Sequence, residues 1–233
     1  MKKIMKATTF VLCFLLMFML LGGCKTNSPA SEEKPTAESR LDPKLYNDTS
    51  NQGESPTDTD DAPDVVKAYK QPTALGDSWD SFTIKFDNEL YSLPAPLSEF
   101  ISNGIICRDD ENLMIDAWNS SSDFHIQCGD QYLMVDLRNY SDNDQPAKYC
   151  FVTSITYVIV LTPIPYELPG GLSENSSADD FIEVYGEPNK TNDFGTLASC
   201  TWSDSDSGEI YILFYTDTGK IMNFTFSHEP KSL

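Results

Sequence analysis

Apolar and polar positions follow three regimes along this chain. From Ala7 to Leu21 every residue is apolar except Thr8 and Thr9. From Lys25 to Asp77 Ser, Thr, Pro, Asn, Asp and Glu dominate, and Tyr46 and Tyr69 are the only aromatic residues. From Trp79 to His228 aromatic and β-branched residues recur in short runs. Those runs predict strands over 82–86, 113–118, 132–137, 151–160, 210–215 and 221–226. The last two flank Thr216-Asp217-Thr218-Gly219-Lys220, where Asp and Gly mark a hairpin turn. Helical signals are fewer. Leu97-Ser98-Glu99-Phe100-Ile101 is one short candidate, and residues 177–185 are the better one. Ser176 or Ser177 can cap the second, acids fill its first turn, Gly186 ends it and Pro188 blocks its continuation. A sequence dominated by strands, with a helix before each strand group, predicts an α+β fold. Its expected form is an antiparallel sheet with one or two short helices on one face.

An internal echo extends that prediction. Tyr91-Ser92-Leu93-Pro94 precedes Leu97 and Phe100 to Gly104; Tyr166-Glu167-Leu168-Pro169 precedes Leu172 and Phe181 to Gly186. In each case an extended Y-x-L-P leads to a short helix closed by glycine. Two weakly similar halves are therefore expected to share one sheet. A short helix at Asp64 to Tyr69 would stand isolated within the polar stretch, which otherwise has too little apolar surface to offset the entropy of ordering.

The N-terminus reads as an address. Lys2, Lys3 and Lys6 precede the apolar run, as in the charged and hydrophobic regions of a signal peptide. Leu21-Gly22-Gly23-Cys24 resembles the bacterial lipobox, in which an aliphatic residue and two small ones precede an obligatory cysteine. The resemblance implies cleavage before Cys24 and lipid on its thiol. Ala7 to Gly23 is 17 residues, at the lower limit for a helix crossing roughly 30 Å of hydrocarbon. Two or three acyl chains would anchor the protein stably without spanning. The expected organisation is a signal peptide over 1–23, lipidated Cys24 and an acidic linker over 24–78, a globular domain over 79–229 and a tail over 230–233. The expected location is the extracytoplasmic face of the cell membrane.

Charge narrows the partners. Three of the 16 basic residues lie before Cys24 and all 36 acids after it, so the processed chain carries a formal charge of −23. Phosphate backbones and anionic headgroups repel such a chain, which argues against nucleic acid. Cys107, Cys128, Cys150 and Cys200 remain once Cys13 and Cys24 are set aside. In an exported protein they suggest up to two disulfides, with three connectivities open; four buried free thiols are the other reading. The closest spacing, Cys107 to Cys128, is too wide for a zinc knuckle.

Gly76-Asp77-Ser78 resembles the nucleophile block of GDSL-type hydrolases, but the aspartate expected three residues before a late histidine is Thr225, ahead of His228. There is no G-x-S-x-G elbow, P-loop or dinucleotide fingerprint. His125, in alternating Phe124-His125-Ile126-Gln127, reads as an outward strand residue, and His228 as an exposed tail residue. Asp204-Ser205-Asp206-Ser207-Gly208-Glu209 resembles the start of a calcium loop but lacks the distant bidentate glutamate, and reads as a polar hairpin loop. The acidic clusters at 109–111 and 142–144 read the same way. Trp79, Trp118, Trp202, Tyr211 and Tyr215 are candidates for a carbohydrate- or peptide-binding face, with core packing the commoner use of such positions.

Leu168-Pro169-Gly170-Gly171-Leu172, Ser176 to Phe181 and Tyr185-Gly186-Glu187-Pro188, followed by Trp202 and two strands, resemble a pattern in surface lipoproteins of Firmicutes. The same order is similar to the repeat of β-lactamase-inhibitor-protein-like folds and of small outer-membrane-assembly lipoproteins. Asn175 stands where those families usually have glycine. The resemblance implies a protein-binding or structural role and carries over no catalytic residue. The expectation is a membrane-anchored, non-catalytic module that binds a protein or envelope component, with no cofactor or metal. A hydrolase with an unrecognised site and a small solute-binding lipoprotein are the alternatives.

Overall fold

The computed structural model describes residues 61–159, 164–204 and 208–233. The apolar N-terminal run, Cys24 and the linker to residue 60 lie outside them. The described elements run α1 (Asp64–Ala68), β1 (Thr83–Phe86), β2 (Glu89–Ser92), β3 (Ala95–Pro96), α2 (Leu97–Ser102), β4 (Ile106–Cys107), β5 (Met114–Ile115) and β6 (Ser120–Cys128). They continue through β7 (Gln131–Arg138), β8 (Gln145–Pro146), β9 (Phe151–Val158), β10 (Tyr166–Leu168), β11 (Leu172–Ser173) and α3 (Ala178–Tyr185). The last four are β12 (Lys190–Asp193), β13 (Leu197–Ser203), β14 (Gly208–Tyr215) and β15 (Ile221–His228). Antiparallel sheet with three short helices is the α+β class that the strand-rich pattern predicts. None of the described helices is long and apolar enough to cross a membrane.

The large sheet has the order β12-β13-β14-β15-β9-β7-β6-β4, with β3 also paired to β9. That order is a near palindrome of the chain. One half runs α2-β4-β6-β7-β9 and the other α3-β12-β13-β14-β15, each from an edge inward, and they meet where β9 pairs with β15. The echo in the sequence thus has a counterpart in topology. Its two tyrosines, Tyr91 on β2 and Tyr166 on β10, are both buried in a four-stranded sheet of order β11-β10-β1-β2.

Alternation along each strand separates two faces of the large sheet. One inward row is Phe124, Val135, Ile155, Phe226, Ile210 and Trp202, taken strand by strand across the ladder from β6 to β13. All six are buried. The small sheet packs on this face: Phe86 meets Tyr157 edge-on and Tyr166 lies 4.7 Å from Phe224, ring centre to ring centre. Helix α3 packs there through Phe181 and Tyr185, whose rings contact Trp202. Burying each such ring contributes roughly 2–3 kcal/mol, so this layer supplies most of the folding energy.

Local chemistry places α3 as its sequence suggests. Ser177 accepts from the Asp180 backbone N–H while the Asp180 carboxylate accepts from the Ser177 N–H, a reciprocal cap. Gly186 ends the helix at φ 78°, and its carbonyl accepts the Trp202 indole N–H at 2.9 Å. Helix and core are thereby fastened at one point.

Several expectations need correction. Residues assigned to the linker pack on the domain: Ala62 and Val66 of the α1 segment form a buried cluster with Tyr140 and Phe151. The Tyr69 hydroxyl accepts the Ser92 N–H. The domain therefore begins well before Trp79, because α1 hides apolar surface on the far side of the large sheet. His228 is not an exposed tail residue. It closes β15, its ring stacked on Phe82 with centres 3.8 Å apart and its Nδ1 2.8 Å from the Leu93 carbonyl. Pro230 in the tail accepts the Tyr140 hydroxyl. The expected strand over 113–118 shrinks to Met114–Ile115. Trp118 has φ 59°, and the buried Asn139 amide takes the carbonyls of Ile115 and Asp116 in place of a ladder.

The four cysteines are free. Cys107 opposes Ile126, so Cys128 is its diagonal neighbour, roughly 7–8 Å away by Cα, beyond normal disulfide reach. Five strands separate Cys200 on β13 from β4. The fold therefore resolves the cysteine question in favour of thiols.

Candidate functional site

The outward face of the large sheet leaves several large side chains accessible. One outward row is His125, Met134, Thr156, Thr225, Tyr211, Thr201 and Lys190, in register across seven strands. Its neighbour includes Val158, Asn223, Leu213, Ser199 and Asn192, with Ile106, Gln127 and Tyr132 on the β4 side. A third step pairs Tyr215 with Leu197. Ile106, Tyr132, Val158 and Tyr215 are exposed, and Met134, Leu213 and Tyr211 are half-buried. The Thr156 and Thr225 hydroxyls share a hydrogen bond of 3.0 Å at the centre.

Carboxylates are absent where they would be expected. In a chain with 36 acids, neither of the two full rows nor the Tyr215–Leu197 pair carries a carboxylate. Acids return at the edges: Asp109 reaches the His125 ring at 3.1 Å, and the next row carries Asp136 and Glu209. Among the described residues α1 covers the face at that end, where it lies over Phe151 and Tyr140.

The catalytic candidates are dispersed. His125 is exposed, and Asp109 Oδ2 lies 3.1 Å from its Nδ1 while accepting its backbone N–H at 2.6 Å. That backbone contact, followed by the ring contact, holds the Asp109 carboxyl below its ordinary range. A histidine–carboxylate pair needs a nucleophile to be a hydrolytic site. The nearby thiol Cys107 is in register with buried Ile126, on the sheet face opposite His125. Burial, helped by Glu111, pushes that thiol up to about 11, so it stays protonated and weakly nucleophilic at neutral pH. Gly76 is tied to Thr83 and Gly170 by its backbone, and Ser78 leads into a 3-10 turn.

In the segment 204–209, β14 begins at Gly208 and pairs antiparallel with β13, while residues 205–207 lie outside the described ones. Asp204 accepts the Gly208 N–H at 2.9 Å. Among the described residues no three His, Cys, Asp or Glu side chains converge as metal ligands. The aromatic candidates separate: Trp202 is in the core, Trp118 and Tyr215 are exposed and Tyr211 lies on the outward row. An open depression of about 620 Å³ is lined by Glu174, Ser177, Tyr215, Lys220 and their neighbours. The outward rows were not legible in the sequence, because β12 and β13 fall outside the predicted strand runs and β6 reads only as a short alternating stretch. A partial signal lies in Ala198 to Ser203, where Ser and Thr alternate with apolar residues. Comparison with protein-family models, with known proteins and with solved structures returns no match.

Proposed function

We propose that this chain is a membrane-anchored, extracytoplasmic lipoprotein that acts without catalysis, by binding a protein or envelope component on the outward face of its large sheet. The observation that carries the reading is the carboxylate-free pair of rows. Burying neutral hydroxyl, amide, methionine and aromatic groups costs little desolvation, whereas burying unpaired acids costs several kcal/mol each. A strongly acidic surface with one neutral, partly apolar platform has thus set aside a region that a partner can cover. Lipid on Cys24 and an acidic linker would hold that platform at the membrane and clear of anionic headgroups.

The test is a pull-down from envelope extracts with residues 61–233, which keep α1 in place, beside the same protein carrying Tyr211→Ser and Met134→Ser. One saturable protein partner, captured at least tenfold less by the double variant, is the expected result. Equal capture by both proteins, or no capture by a folded domain, contradicts the reading and turns attention to hydrolase and small-ligand screens.

A further inference from the structure

A second surface stands apart from the sheet face, on the loops 108–119 and 139–149. Leu113, Met114 and Trp118 there are 46%, 56% and 45% exposed. These side chains are not loosely held. Asn139, 1% exposed, donates its amide to the carbonyls of Ile115, Asp116 and Asn143 at 3.0, 3.2 and 2.8 Å. Its own oxygen accepts from the backbone N–H and the hydroxyl of Ser141. Asp144 accepts the Ala117 N–H at 3.1 Å, and Asp142 accepts the Trp118 indole N–H at 2.9 Å. Trp118 also sits at φ 59°, a conformation costly for a bulky side chain. This fixed, strained backbone sets one side of the Trp118 ring edge-on against Tyr140 and leaves the residue 45% exposed. It lowers the entropy lost when a partner covers that ring, and Trp and Met are favoured contact residues.

Charge names the partner. The two loops carry Asp109, Asp110, Glu111, Asp116, Asp142 and Asp144. Against these six acids the two loops carry two cations, Arg108 and Lys148, for a formal charge of −4. The apolar triad is therefore framed by negative potential, which repels anionic lipid and attracts a cationic protein segment. We propose that these loops dock a basic segment of the binding partner. An apolar side chain of that segment would sit against Trp118, Met114 and Leu113, with its Lys or Arg residues toward the carboxylates. This rests on the binding-module reading and adds a second, charge-selective contact to it.

The test uses the full chain in non-ionic detergent and a fluorescein-labelled peptide in which one phenylalanine is flanked by lysines, with a glutamate-for-lysine counterpart. Anisotropy should report binding of the lysine peptide alone, weakened at least tenfold by Trp118→Ala and comparably by Met114→Ser, neither of which changes the charge. Tyr211→Ser, on the sheet face, should leave it unchanged. Equal binding by the Trp118→Ala and Met114→Ser proteins, binding of the glutamate peptide, or no binding of either peptide overturns the proposal. Loss through Tyr211→Ser alone overturns it while leaving the sheet-face reading standing.

Discussion

The two faces of the large sheet are built from the same strands, one residue apart, and have opposite characters. Along β14, Ile210 and Ile212 are fully buried while Tyr211 and Leu213 between and beyond them are partly exposed. The inward face meets a second sheet and two helices through rings and branched aliphatic groups. The outward face carries Thr, Ser, Asn, Tyr and Met, and α1 covers it over Phe151. Folding energy is thus drawn from one face, and the other is free of that demand. A surface released from stability in this way can be shaped by what it binds.

The comparison breaks most visibly at adjacent residues. Phe224→Ala removes a fully buried ring packed on Tyr157 and Tyr166 and should cost about 3–5 kcal/mol in denaturant unfolding. Thr225→Ala, one position along, loses only the hydrogen bond to Thr156 and should cost less than about 1.5 kcal/mol. Similar losses at both positions would erase the distinction between the faces. A smaller effect sharpens it on β14. A Cβ at Gly208 would lie 2.1 Å from the Phe82 ring, so Gly208→Ala should destabilise by about 1–3 kcal/mol as the ring is displaced. An unchanged unfolding midpoint would mean that Phe82 is not packed on the inward face as described.

The smallest expected effect is at the sheet edge. Because the Cys107 thiol is raised by burial and then by Glu111, folding favours its protonated form. That contribution is present below the ordinary thiol range near pH 9 and is lost as pH rises through about 11. Alkylation of native Cys107 should therefore accelerate only above pH 10, while the unfolded chain reacts readily at pH 9. Fast labelling of the native thiol at pH 8 would contradict its placement.

Much of the fold was legible because strand alternation and helix caps are local signals. The Ser177 cap, the Gly186 stop and the closing hairpin all fall where their residues predict. What was not legible depended on contacts distant in sequence. Val66 looks unremarkable among polar neighbours until Phe151 covers it, and His228 looks terminal until Phe82 stacks on it. Leu113 to Trp118 has strand-like composition, yet a single buried amide, Asn139, diverts its carbonyls. The site was less legible than the fold. Tyr211 and Tyr215 were among the aromatic candidates for which core packing was the commoner expectation, and the carboxylate-free rows exist only once seven strands are placed in register.

Photo-crosslinking in living cells tests the central claim most directly. A benzophenone side chain is placed at Tyr211 on the outward face or at Val184, 40% exposed on α3 at the inward side of the sheet, in the full-length chain. A single saturable protein adduct from position 211, and none from 184, is the predicted result. Adducts from 184 alone, or none from 211 in a correctly folded and localised protein, would contradict the assignment of the outward face as the binding surface.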